Sequence, residues 1–205
     1  MKTAERRWKI ARDVWANAAK ELDRLGEEIS AWTFSRCVDL LAGCRGRIVA
    51  SGCGTSAMAA RKIAHSLSCI ERPAYYLNPS DAAHGALGAV QPGDVAILIS
   101  KGGATAELVA MLPALAAKEV TVIAVTEDPD SALARAAALI VPIAIEREAD
   151  EFNMLATTST MMIVAWFDAV CIALMREGGF TRAQFATIHP GGAVGARLRG
   201  GGHDG

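Results

Sequence analysis

Arg47-Ile48-Val49-Ala50-Ser51-Gly52-Cys53-Gly54-Thr55-Ser56 decides the fold. A short apolar run ends in a serine, and two glycines and two hydroxyl residues follow. A helical pattern then runs from Ser56 to Ser68. Continuous apolar runs of this length are strands buried on both faces. The design recurs at Asp94-Val95-Ala96-Ile97-Leu98-Ile99-Ser100, followed by Lys101-Gly102-Gly103 and a helix over Ala104 to Ala117. Further strands are predicted at Ala74 to Leu77, Val120 to Val125 and Leu139 to Ile145. A short helix is predicted over Ser131 to Ala137 and a long apolar one over Thr157 to Glu177. Strands alternating with helices imply an α/β fold, a three-layer, doubly wound, five-stranded parallel sheet. Ligands of such sheets sit beyond the carboxyl ends of the strands. The loops that matter therefore follow Ser51, Leu77, Ser100, Val125 and Ile145.

Upstream, Trp8, Ala11, Trp15, Ala18, Leu22 and Leu25 recur at helical spacing, with Gly26 a candidate break and a second helix over Ile29 to Leu41. The domain reading is an N-terminal helical extension over 1–45, the sheet domain over 46–198, and a disordered glycine-rich tail over 199–205. Hydrophobic residues make up 52% of the 205, enough for a sizeable core. The net charge of −1 leaves no basic excess for a nucleic-acid backbone or an acidic membrane surface. The apolar stretch Met161 to Met175 contains Asp168 and is too short to span a bilayer. The first residues carry no signal-peptide pattern, so a cytoplasmic location is expected. Cys37, Cys44, Cys53, Cys69 and Cys171 are odd in number and contain no paired CxxC motif, as expected of free thiols in a reducing compartment.

Glycines between strand and helix let backbone N–H groups approach an anion. The two loops, Ser51, Gly52, Thr55 and Ser56 in one and Ser100, Lys101, Gly102, Gly103 and Thr105 in the other, are the candidate binders of a shared phosphate. The first lacks the third glycine of a dinucleotide fingerprint, and no acidic residue closes the second strand. Glu107 falls in a first helical turn, where it either favours the helix dipole or serves chemistry. His84 and His189 lie in glycine-flanked loops and are acid–base candidates. Their spacing does not support a metal site. Glu146-Arg147-Glu148-Ala149-Asp150-Glu151 follows the last strand, and Thr158 and Ser159 begin the long helix as candidate ligand donors or caps.

The order of these loops resembles the sugar isomerase (SIS) domain family, and within it the arabinose-5-phosphate isomerase group. The resemblance rests on Ala82-Ala83-His84-Gly85-Ala86-Leu87-Gly88, Ser131-Ala132-Leu133-Ala134-Arg135-Ala136-Ala137, Thr158-Ser159-Thr160 and Gly178-Gly179-Phe180-Thr181. Its most specific motif is His189-Pro190-Gly191-Gly192-Ala193-Val194-Gly195. It implies the SIS fold without the regulatory CBS domains, and a phosphosugar aldose–ketose isomerase working through an enediol without metal or cofactor. It also implies Glu107, Glu148, His84 and His189 as catalytic residues and a homodimer or homotetramer. The alternative is a non-catalytic phosphosugar sensor on the same fold. Three stretches depart from the family pattern. Thr55 stands where the family has Lys, Ser100-Lys101-Gly102-Gly103-Ala104-Thr105 replaces Ser-Asn-Ser-Gly-Glu-Ser, and Glu148-Ala149-Asp150-Glu151-Phe152-Asn153 replaces Glu-Ala-Cys-Pro-Leu-Gly.

Overall fold

Five apolar runs pair side by side in a computed structural model that describes residues 3–191. They are β1 (Ile48–Gly52), β2 (Ala74–Tyr76), β3 (Val95–Ile99), β4 (Thr121–Val125) and β5 (Leu139–Val141). The sheet order is β2-β1-β3-β4-β5 and every pair is parallel. Around it lie α1 (Thr3–Glu28), α2 (Ala31–Ala42), α3 (Thr55–Ser68), α4 (Pro79–Ala83), α5 (Ala106–Val109), α6 (Leu112–Ala117), α7 (Ala132–Ala136), α8 (Thr158–Glu177) and α9 (Arg182–Ile188). The tail 199–205 and the end of the last motif, Gly192 to Gly195, lie outside the described residues.

Side-chain alternation along each strand feeds two cores. One face carries Ile48, Ala50, Ile97, Ile99, Ile123 and Val125 into a cluster with α2, α3 and α8. The other carries Val49, Ala96, Leu98, Val122 and Ala124 against Leu108, Leu115 and Leu133 from α5, α6 and α7 and Met111 from the α5–α6 junction. This gives the expected three layers. Helix α8 is long and apolar enough by length and composition to cross a membrane, longer than the stretch weighed from sequence. Here Met162, Ile163, Trp166, Phe167, Val170, Cys171 and Leu174 are buried in the first core.

Several boundaries shift for local reasons. Gly26 does not interrupt α1; the chain turns after Glu28, and the Ser30 hydroxyl caps α2 by accepting the Thr33 N–H at 3.1 Å. The single helix expected over Ala104 to Ala117 is two short ones. Pro113 sits in the first turn of α6, and its missing N–H cannot bond back to the preceding turn. Strand β5 stops at Val141 because Pro142 has no donor for the ladder. Asp94, expected in β3, is a buried loop anchor whose carboxylate accepts the N–H groups of Arg47 at 2.6 Å and Gln91 at 2.9 Å. All five cysteines are free thiols.

Candidate functional site

The register of β3 on β4 builds one wall of the site. Ile97 faces Ile123 and Ile99 faces Val125. Two residues further on, Lys101 meets Glu127 on the same face of the sheet. The Lys101 carbonyl locks the two chain segments together, accepting the Glu127 N–H and the Thr126 hydroxyl, each at 2.9 Å. The Lys101 ammonium then lies 3.6 Å from Glu127 Oε1 and 4.0 Å from Glu148 Oε1. This face looks toward the N-termini of α3 and α8. A cleft of about 110 Å3, partly open to solvent, lies between them. Val125, Ile143 and Ile163 form its apolar lining, while Thr55, Ser56, Lys101, Thr126, Glu127, Ser159 and Thr160 supply polar groups.

The two helix N-termini differ in one decisive respect. Glu148 is buried and closes the start of α8. Its Oε2 accepts the backbone N–H groups of Thr157, Thr158 and Ser159 at 3.0, 2.8 and 3.3 Å, and its Oε1 accepts the Ser159 hydroxyl. Helix α3 begins after Gly54, whose φ of +58° suits glycine and which has no side chain to cap the helix. Thus the donors of α8 are taken by the protein's own carboxylate. Those at the start of α3, with the hydroxyls of Thr55 and Ser56, face the cleft without a capping side chain. A helix N-terminus of this kind is suited to an anion.

The two carboxylates are driven apart in acidity. Burial pushes Glu148 up, but the Ser159 hydroxyl and the three backbone donors outweigh it and hold the carboxyl below its ordinary value. Burial also pushes Glu127 up, and there it prevails over the attraction of Lys101. Glu127 Oε1 is a buried oxygen without a hydrogen-bond partner among the described residues. Among those residues no cluster of three His, Cys, Asp or Glu side chains is arranged to hold a metal.

Other residues singled out from the sequence are placed elsewhere. Ser51 points to the opposite face, is fully buried, and donates its hydroxyl to the Leu77 carbonyl at 2.7 Å, so it offers nothing to the cleft. Ser100 likewise follows Leu98 onto that face, and its hydroxyl pairs with Thr105 Oγ1 at 2.7 Å. Gly103, at φ +61°, is a packing glycine, since a Cβ there would come within 2.0 Å of Ser131 Oγ. Gly52 is one too, its Cβ position lying 2.9 Å from the Ser56 backbone in the first turn of α3. Gly102 is exposed with open space where a side chain would go. Thr158 is buried and its hydroxyl accepts from Asn17 of α1 at 2.9 Å. Glu107 is exposed, and its charge, after burial, helps raise the Cys53 thiol, which sets it beside the first loop. His84 is exposed at the end of α4. His189 ends α9 with its ring stacked on Phe185 at 4.0 Å and is not among the cleft residues. The sequence reading missed Thr126, Glu127 and Asn17. Glu127 in particular looks like an ordinary turn residue unless the β3–β4 register is known.

A family model described as the SIS domain matches residues 40–170. The chain belongs to the SIS domain family. Among curated SIS-domain relatives, an arabinose 5-phosphate isomerase of Pseudomonas aeruginosa (KdsD) is 37% identical over 177 residues, covering 86% of this chain and 53% of that protein. One from Salmonella typhi (GutQ) is also 37% identical, covering 88% of this chain and 55% of that protein. The chain thus spans about half the length of the curated relatives it matches. Among solved structures, a candidate sugar-phosphate isomerase from Listeria monocytogenes superposes with a TM-score of 0.90 at 46% identity, over 93% of this chain and 100% of that one. A protein of Escherichia coli CFT073, in complex with arabinose 5-phosphate, superposes with a TM-score of 0.88 at 32% identity, over the same shares. The SIS fold and the resemblance to arabinose 5-phosphate isomerases are therefore both upheld.

Proposed function

We propose that this chain is a sugar-phosphate aldose–ketose isomerase, with arabinose 5-phosphate and ribulose 5-phosphate as the leading substrate pair. The observation that carries this reading is the α3 N-terminus, open to the cleft beside Thr55 and Ser56, with Lys101 and the Glu127 carboxylate in the opposite wall and the Glu148 carboxylate buried 4.0 Å behind the Lys101 ammonium. The names of the relatives and the neighbour bound to arabinose 5-phosphate point the same way. A phosphate resting on α3 leaves the sugar chain to extend over Lys101 toward those carboxylates.

The reaction moves one proton from C2 of the aldose to C1 through an enediol, while the proton on the C2 oxygen transfers to the C1 oxygen. A carboxylate base and a partner at the oxygens suffice for this, without metal or cofactor. Glu107 and Glu148 are the candidate bases. His84 and His189 are the candidate groups for ring opening and carbonyl polarisation, brought to the cleft from a neighbouring copy in a homodimer or homotetramer. The exposed Trp8, Trp15 and Trp32 of α1 and α2, each more than half accessible, support such an assembly. Incubation with pentose and hexose phosphates, followed by product analysis and thermal shift, tests the reading. Turnover supports the isomerase, stabilisation without turnover supports a phosphosugar sensor, and neither effect refutes both.

A further inference from the structure

Helix α1 grips the segment that carries Glu148, and it does so with one face. Asn17, Lys20, Glu21 and Arg24 recur at the three- and four-residue steps that align side chains along a helix. All four engage residues 146–147 or the start of α8. Glu21 is buried; its Oε1 accepts the Glu146 N–H at 3.2 Å, and Arg24 Nη1 donates to its Oε2 at 2.7 Å. Lys20 pairs with the Glu146 carboxylate, and Arg24 lies 3.7 Å from it. Asn17 Nδ2 donates to the Arg147 carbonyl at 3.2 Å and to Thr158 Oγ1 at 2.9 Å. Arg147 is the residue before Glu148, and the Thr158 N–H is the shortest of the backbone donors to the Glu148 carboxylate, at 2.8 Å. Asn17 therefore ties the backbone that carries the carboxylate to the helix turn that receives it. Apolar contact is enough to dock a helix. Two directed bonds from one amide, one on each side of the Glu148 carboxylate, also fix a distance.

Resting on the isomerase reading above, we propose that Asn17 is a positioning residue for the reaction: from α1 it fixes the Glu148 carboxylate against its donors and behind the Lys101 ammonium. Asn17 is not among the cleft residues and acts only through Glu148. The charges around that carboxylate come from four places. Lys101 and Glu127 face it from beyond β3 and β4, and Arg147 and Asp150 share its loop. Lys20, Glu21 and Arg24 lie across on α1, and the first turn of α8 brings no charge. Burial pushes the carboxyl up, and the Ser159 hydroxyl with the N–H groups of Thr157, Thr158 and Ser159 holds it down. Those donors act only at hydrogen-bond distance. Without the Asn17 amide the loop and the helix turn part, and burial gains the upper hand. Glu148 then takes up its proton at higher pH, and Lys101 loses a neighbouring negative charge.

The experiment compares wild type with Asn17→Ala, Asn17→Asp, Glu148→Gln and the double variant Asn17→Ala/Glu148→Gln, with Lys9→Ala as the control. Thermal unfolding is followed from neutral to acidic pH, and kcat and KM for arabinose 5-phosphate are measured over the same range. Asn17→Ala is expected to lower kcat by about tenfold to a hundredfold and to leave KM within about twofold of wild type. It should move the acid limb of kcat up by about half to one pH unit. Asn17→Asp keeps the shape, loses the donor and sets a charge against the Arg147 carbonyl, so it should fall at least as far. The Tm cost of Glu148→Gln at neutral pH should shrink by about 2–4 °C in the Asn17→Ala background, because the residues are coupled. Lys9, whose exposed pair on α1 is with Asp13, should change none of these. An unmoved acid limb, a loss confined to KM, wild-type turnover in Asn17→Asp, or an equal loss in Lys9→Ala overturns the proposal. So does an additive cycle, in which Glu148→Gln costs the same with or without Asn17, since a merely structural contact gives that result. Should the wild type turn over no sugar phosphate, the isomerase reading falls. The thermal cycle then decides the grip of Asn17 on Glu148 by itself: coupling upholds it and additivity overturns it.

Discussion

Glu148→Gln separates two roles that one residue is asked to fill. The carboxylate closes the α8 N-terminus with three backbone donors and the Ser159 hydroxyl, and it lies 4.0 Å from Lys101. Gln keeps one carbonyl acceptor for the backbone donors and can turn its amide toward Ser159, so shape and hydrogen-bond count largely survive. What disappears is the charge. Hydrogen bonds to a charged group contribute about 1.5–3 kcal/mol and neutral ones about 0.5–1.5. Across this cluster, with the helix dipole included, the change is about 2–3 kcal/mol. For a chain of this length each kcal/mol moves the midpoint by about 2–4 °C, so Tm should fall by roughly 5–10 °C at neutral pH.

The pH dependence gives a sharper signature for the same residue. Glu148 is held below its ordinary value of 4.5 in the folded protein. Its contribution is therefore present in full above that value and is lost as pH falls through the lower folded value. The gap in Tm between wild type and Glu148→Gln should be widest near neutrality and close in acid. Thermal unfolding followed by circular dichroism at fixed protein concentration, from neutral to acidic pH, measures this. An unchanged Tm at neutral pH, or a gap that widens in acid, refutes the anchoring argument. Loss of turnover by about 10²–10⁴-fold, with substrate binding kept, would assign Glu148 to proton transfer as well.

Ser51→Ala should leave ligand affinity intact and lower stability by about 1–2 kcal/mol, because it strands the buried Leu77 carbonyl; weakened binding at unchanged stability in calorimetry and melting would contradict this placement. Gly103→Ala should destabilise the protein by more than about 2 kcal/mol, since the new methyl meets Ser131 Oγ at 2.0 Å in a left-handed conformation; a soluble variant melting with wild type would show the loop has room. Light scattering at micromolar concentration should report a dimer or tetramer, and a clean monomer would remove the exposed tryptophans of α1 and α2 as an interface.

Much of the architecture was legible in local sequence because its cause is local. The continuous apolar runs at 48–50, 95–99 and 122–125 demand burial on both faces, and strand–helix alternation then implies a parallel sheet. The glycine after β1 and the glycines after β3 marked the loops at the ligand edge. Pro113 and Pro142 shorten elements that periodicity alone extends. The motifs around His84, Ser131, Thr158 and His189 carried the family, since they combine turn chemistry with polar groups in a fixed order.

Which of those polar groups share a cleft was not contained in any one stretch. Ser51, Ser100 and Lys101 looked equivalent as loop residues after strands. A single step along the pleat sends the two serines to one face and Lys101 to the other, and that difference appears only once the strands are paired. Glu127 enters the site because β4 lies beside β3 with residue 125 opposite residue 99, a relation between segments far apart in the chain. Glu148 closes α8 because Thr157, Thr158 and Ser159 return to it across a loop. By itself the sequence determined the elements, their alternation and the family, because propensity, periodicity and turn chemistry act over a few residues. Tertiary structure alone decided the cleft, because register and the direction of each side chain come from packing distant strands and helices against one another.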